Sequence, residues 1–211
     1  PAITDPRRAA QQGAPEIYRE APGNVALDFH FGDSDKVNVA FAAAAHVTRR
    51  TLINNRIAIC ALEPRAAVGS YDAVSERWTL YAPTQGVHNI REQLAKEVLK
   101  VPVEKVRVIT GNVGGSFGMK ANAYPEYICA LFAAKALGRP VKWTDERTDS
   151  FMSDTHGRDH HMTGELALDA DGRILAVRVQ GYANMGAYPQ MPVQPTNNLV
   201  KNVIGVYRTP L

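Results

Sequence analysis

The sequence predicts an α+β fold with a mixed β-sheet and flanking helices. Three observations carry this reading. β-rich runs come in pairs at 67–82 and 160–182, a strand, glycine loop, helix and strand follow one another over 103–144, and an apolar helix is bracketed by Pro125 and Gly138. The 211 residues are 45% apolar and 21% charged, which is enough to bury a core and excludes a disordered or collagenous chain.

The elements can be justified in order. Residues 1–33 are rich in Pro, Gly and charge and lack periodicity, so they read as a linker or arm from a preceding domain. Asp33-Ser34-Asp35 is an N-cap signal before Val37, Ala40, Phe41, Ala44 and Ala45, which lie on one face of a helix ending near His46. Val47–Leu62, Ala67–Val74 and Arg77–Ala82 are extended runs, with Ser75-Glu76 as a tight turn. Ile90, Leu94 and Val98 mark an amphipathic helix between Gly86 and Pro102, and Val103–Thr110 is a β-branched run. The helix from Tyr124 to Leu137 has proline at its start and glycine at its end, and its apolar content predicts burial. Val141–Thr144 closes the crossover. His160–Leu168 and Arg173–Tyr182 flank Asp169-Ala170-Asp171-Gly172, a hairpin signal.

Charge and cysteine usage narrow the function classes. With 24 basic and 21 acidic residues spread along the chain, the net field is too weak to indicate nucleic acid. No apolar run reaches the roughly 18 residues of a membrane span, and no apolar export segment precedes residue 20, so a cytoplasmic protein is expected. Cys60 and Cys129 sit in apolar runs and read as small buried side chains rather than a disulfide. The start at Pro1 and the end at Tyr207–Leu211 suggest a piece of a longer protein.

The sharpest motif is Gly111-Asn112-Val113-Gly114-Gly115-Ser116-Phe117-Gly118-Met119-Lys120, between a strand and a helix. Such a loop lets backbone N–H groups approach an anion or oxo ligand that side chains would block, although a plain tight turn uses the same glycines. It matches neither phosphate template: Lys120 follows Met119 and precedes Ala121, and no glycines stand at the G-x-G-x-x-G offsets. Gln85, in Pro83-Thr84-Gln85-Gly86, stands where a side-chain amide can donate to a ligand, or can cap a loop. His156 and His160 have i, i+4 spacing without an accompanying carboxylate pattern, so no metal site is read from them. Asp145-Glu146-Arg147 and Arg158-Asp159 read as ion pairs, and Glu63-Pro64-Arg65 as a salt-bridged corner.

Taken together, these segments resemble the molybdenum-binding large subunit of the xanthine dehydrogenase, aldehyde oxidase and carbon monoxide dehydrogenase family. The match covers about residues 33–211. It rests on Asn54-Asn55-Arg56, Glu63-Pro64-Arg65, Thr84-Gln85-Gly86, Gly114–Lys120, Pro140–Trp143, Glu146-Arg147, Gly157-Arg158-Asp159 and Gly186-Ala187-Tyr188. Tyr124-Pro125, Val141-Lys142-Trp143 and Arg158–Met162 look nearest to the carbon monoxide dehydrogenase branch.

The resemblance implies that 34–211 is a first molybdopterin-binding domain, incomplete at its C-terminus, of a molybdenum hydroxylase acting on an aldehyde, an N-heterocycle or carbon monoxide. By the family pattern, Gln85 donates to a molybdenum oxo ligand, and Gly114, Gly115, Ser116, Phe117 and Gly118 line the metal and pterin, with Phe117 near the oxo ligands. No side chain ligates the metal directly, and the catalytic base is expected in later sequence. The implied cofactor is molybdopterin cytosine dinucleotide with molybdenum, and copper in the carbon monoxide branch. The implied partners are the remainder of the large subunit together with iron–sulfur and FAD subunits. Ala121 stands where purine-oxidising relatives carry a carboxylate, which disfavours purine oxidation. The rival reading is a non-catalytic interaction or scaffold module with a structural glycine loop. A phosphate-binding domain on that loop is a third.

Overall fold

The computed structural model describes residues 3–188 and 201–211; Pro1, Ala2 and the part of the expected 34–211 domain at 189–200 lie outside the described residues. In chain order the elements are α1 (Pro6–Ala9), α2 (Ser34–Ala43), β1 (His46–Asn54), β2 (Ala66–Asp72), β3 (Arg77–Tyr81), α3 (Val87–Glu92), β4 (Val106–Ile109), α4 (Pro125–Leu137), β5 (Val141–Thr144), α5 (Arg147–Ser153), β6 (His160–Leu168) and β7 (Ile174–Ala183). The chain divides into two compact units, Pro1–Ile57 with Arg158–Leu211, and Ala58–Gly157. The fold is α+β with mixed and antiparallel sheets.

The first unit holds a three-stranded antiparallel sheet in the order β1-β6-β7. Asp33 caps α2 by accepting from the Lys36 N–H at 3.1 Å, and the half-buried residues Val37, Ala40, Phe41 and Ala44 form the face the sequence predicts, while Ala45 is exposed. In the β6–β7 turn, Asp169 Oδ1 accepts from the N–H groups of Asp171 at 3.0 Å and Arg173 at 2.8 Å. The turn chemistry thus comes from an aspartate hydrogen-bonding its own backbone.

The second unit holds a four-stranded sheet in the order β4-β3-β2-β5. β2 pairs antiparallel with β3 and β5, and β3 pairs parallel with β4. The expected crossover over 103–144 therefore joins strands at opposite edges, while the adjacent parallel pair β3/β4 is bridged by α3. Trp78, Leu80, Ile90, Leu94, Tyr127 and Leu131 form the centre of the core. α4 lies so close to β2 that a Cβ on Gly69 would meet the Ala130 backbone at 2.6 Å, which only glycine allows. Leu137 is followed by Gly138 at φ 62°, the helix end that the sequence predicts.

Several expectations are corrected. β1 stops at Asn54 rather than running to Leu62, and Val103–Lys105 is a 3₁₀ turn rather than strand. The amphipathic helix widens after Glu92 into a π-helical stretch over Gln93–Leu99, where the neighbouring Leu94 and Ala95 are both fully buried. Cys60 and Cys129 are free and exposed rather than buried. α4 buries only Tyr127, Ala130, Leu131 and Ala134, so Cys129 lies off its packed face. Among the described residues no helix is long and apolar enough to cross a membrane.

Candidate functional site

The parallel pairing of β3 with β4 sets their carboxyl ends side by side, and open sheets bind ligands at such ends. Two segments leave there. Pro83–Gly86 follows β3 and the glycine loop follows β4, joined at their roots by the Ala82 N–H donating to Ile109 O at 3.1 Å. Thr110 Oγ1 donates to Ala82 O at 2.9 Å and lies 2.6 Å from the hydroxyl of the buried Thr84.

This geometry brings Gln85 to the loop. Its N–H donates to Lys120 O at 2.9 Å. Its side-chain Oε1 accepts from the Gly118 N–H at 2.8 Å and from Ser116 Oγ at 2.6 Å. A backbone N–H can only donate, so the atom facing Gly118 must be the amide oxygen. The Gln85 Nε2 is therefore turned away from these two donors, and it has no partner among the described residues.

The loop itself is held in an uncommon conformation. Gly115, Phe117 and Gly118 have φ of 102°, 52° and 96°. For an aromatic residue such as Phe117 this costs on the order of 1 kcal/mol, and its side chain is 78% exposed. The turn closes through Ser116, whose O accepts from the Met119 N–H and whose Oγ accepts from the Lys120 N–H, both at 3.0 Å. The N–H groups of Gly115, Ser116 and Phe117 have no hydrogen-bond acceptor among the described residues. With Gln85 Nε2, they leave the loop rich in unused donors.

Glu63 and Lys120 fix the loop from behind. Glu63 Oε2 accepts from the Gly114 N–H at 2.9 Å and from Lys120 Nζ at 2.8 Å, and Lys120 Nζ also donates to Glu63 O at 2.8 Å. The contact is tight: a Cβ on Gly114 would come within 2.6 Å of Glu63 Cβ. Burial disfavours the Glu63 carboxylate, but hydrogen bonds from Lys120 and Gly114 outweigh that, and its pKa lies below the ordinary value. The sequence marks Glu63 as part of a salt-bridged corner and Lys120 as part of the glycine motif but does not pair them, because the partners are 57 residues apart.

The salt-bridged corner at Glu63-Pro64-Arg65 is real but differently wired. Arg65 is fully buried and pairs with Glu126 at 2.8 Å, with Asp145 at 3.7 Å and with Asp154, and its guanidinium lies 3.8 Å from the Tyr124 ring centre. Each nitrogen of the guanidinium is paired within the protein, while Asp145 Oδ1 and Asp154 Oδ2 stay buried without a hydrogen-bond donor. Burial raises the Asp154 pKa despite Arg65, whereas at Glu126 the Arg65 hydrogen bonds outweigh burial and lower it. Arg147 donates to the carbonyls of Ala61 and Leu62 rather than pairing with Asp145. Asp159 pairs with Arg56 at 3.1 Å rather than with Arg158. Burial lowers the His160 pKa, and no group of three or more potential metal ligands occurs among the described residues.

Residues 17–211 match the model of a molybdopterin cofactor-binding domain. The chain is 32% identical over 200 residues to the carbon monoxide dehydrogenase large chain of Hydrogenophaga pseudoflava, covering 89% of this chain and 25% of that one. It is 35% identical over 213 residues to the 6-hydroxypseudooxynicotine dehydrogenase complex subunit gamma of Paenarthrobacter nicotinovorans, covering 100% of this chain and 26% of that one. The crystal structure of quinoline 2-oxidoreductase from Pseudomonas putida 86 superposes with a TM-score of 0.77 at 31% identity, covering 82% of this chain and 22% of that one. The chain thus spans about a quarter of the length of the curated relatives it matches.

Proposed function

The chain belongs to the molybdopterin cofactor-binding domain family, and on that premise we propose that it forms part of the cofactor site of a molybdenum hydroxylase acting on an aldehyde, an N-heterocycle or carbon monoxide. The observation that carries the proposal is the set of unused donors on a loop held by Glu63, Ser116 and Lys120: Gln85 Nε2 and the N–H groups of Gly115, Ser116 and Phe117. These fit an oxygen-rich, negatively charged group, because donors that do not ionise or coordinate stabilise its oxygens without competing for the metal. Gln85, Gly114, Gly115, Ser116, Phe117 and Gly118 would hold it. When bound, the molybdenum pterin supplies two-electron oxidation.

The chain's own residues orient and enclose. Gly118 and Ser116 set the rotamer of the Gln85 amide, so no ordering of that side chain is required when an acceptor arrives. Glu63 and Lys120 hold Gly114 and fix the loop position. We assign the base and the substrate-facing groups to the remaining sequence of the parent subunit. The cytosine dinucleotide form of the cofactor and partner subunits with iron–sulfur clusters and FAD belong to the same proposal. Assembly with further subunits is supported by relatives named as a large chain and as a subunit of a complex.

Elemental analysis of the parent subunit, purified with its neighbours, tests the proposal. Molybdenum without copper is expected for an aldehyde or heterocycle hydroxylase, and molybdenum with copper for carbon monoxide oxidation. A fully matured preparation without molybdenum overturns the proposal in favour of the scaffold module.

A further inference from the structure

A second concave site lies along the outer edge of β4, and it owes nothing to the glycine loop. A cavity of about 300 Å³ is lined there by Arg77 of β3, by Val87, His88 and Arg91 of α3, and by Arg107 with its β4 neighbours. That volume is at the lower end for small-molecule pockets.

The charge is strongly one-sided. The parallel register places Thr79 opposite Arg107, so Arg77 and Arg107 project from the same face of neighbouring strands. Neither is in an ion pair among the described residues. Asp72, opposite Arg77 in the β2–β3 register, accepts from the Val74 N–H and the Ser75 hydroxyl and also attracts Arg77 electrostatically without an ion-pair contact. Glu104 is the acidic group of the lining. Three guanidinium groups against one carboxylate exceed what a single carboxylate ligand requires.

Arg91 is also positioned in advance. Its Nε donates to Val106 O at 2.8 Å and its Nη2 donates to Val103 O at 2.9 Å. Its plane is therefore set before any ligand arrives, and Nη1 has no partner among the described residues. Val87 and Val108 form the apolar wall of the lining, with Val108 on the face of β4 opposite Arg107 and Val106 buried in the core.

We propose that this cavity binds the phosphate or pyrophosphate group of a small molecule, with Arg77, Arg91 and Arg107 as its ligands. Calorimetric titration of the full parent complex with inorganic pyrophosphate and, separately, with phenyl phosphate tests this, against sulfate at matched ionic strength. Saturable 1:1 binding of at least one phosphate is expected, tighter than sulfate. Tighter phenyl phosphate identifies an organic ester that uses the valine wall, and tighter pyrophosphate identifies a pyrophosphate ligand. Arg77→Gln and Arg107→Gln, both at exposed positions, should each weaken binding about tenfold. Absence of saturable binding, or an affinity unchanged in Arg107→Gln, overturns the proposal.

Discussion

Glu63 and Arg65 are separated by one proline, yet they organise two opposite kinds of polar site. Arg65 turns into the core, where three carboxylates and an aromatic face surround it. Glu63 turns to the glycine loop, where it holds the backbone of Gly114 and the ammonium of Lys120. Around Arg65 the guanidinium is fully answered from within the protein. At the loop, Gln85 Nε2 and three consecutive backbone N–H groups are left over. Polar groups that answer one another hold a fold together, whereas positioned donors without an acceptor form a place for a ligand.

Mutations sharpen this contrast, beginning with the largest expected effect. Arg65→Leu leaves buried carboxylates without their cation, and chemical denaturation should show a loss of about 3–5 kcal/mol. Lys120→Met removes the buried ammonium that ties Glu63 to the loop. Its expected cost is about 2 kcal/mol, with faster amide exchange at Gly114. Asp154→Asn should cost less than about 1 kcal/mol, because it removes a charge that burial already disfavours. Gln85→Ala should cost about 1 kcal/mol or less, since the two hydrogen bonds it removes are both exposed to solvent. If Gln85→Ala destabilised the chain as much as Arg65→Leu, the contrast would collapse.

Glu63 and Asp154 also respond to pH with opposite sign. Glu63 has a lowered pKa in the fold, so its contribution is present above the ordinary glutamate value and is lost as pH falls through the folded pKa. Asp154 has a raised pKa, so its contribution declines as pH rises from the ordinary aspartate value through the folded one. Glu126, which shares Arg65, follows the Glu63 sign. Acidification should therefore speed exchange at Gly114, and Asp154→Asn should remove the decline that begins above the ordinary aspartate value. Amide exchange measured across acidic pH in the parent subunit checks both.

What could be read from the sequence was local chemistry. Pro125 and Gly138 bracket a helix whatever it packs against, and Asp169 with Gly172 defines a turn within four residues. The glycine loop and Gln85 were legible because their side chains, or lack of them, state what the backbone can do. Their meeting was not, since it depends on β3 and β4 lying parallel, which no local pattern encodes. The same holds for Glu63 with Lys120, and for Arg65 with Glu126 and Asp154, which are joined across 57 to 89 residues. Cys60 and Cys129 misled because an apolar neighbourhood in sequence does not say which face of an element is packed.

Gln85→Glu in the parent complex separates the inward acceptor of this amide from its outward donor. A glutamate retains acceptors for the Gly118 N–H and the Ser116 hydroxyl but replaces the outward donor with a negative charge. With the fold intact by circular dichroism, turnover is expected to fall about 100-fold, together with molybdenum content. Wild-type turnover and full molybdenum content in Gln85→Glu would contradict the role of that donor.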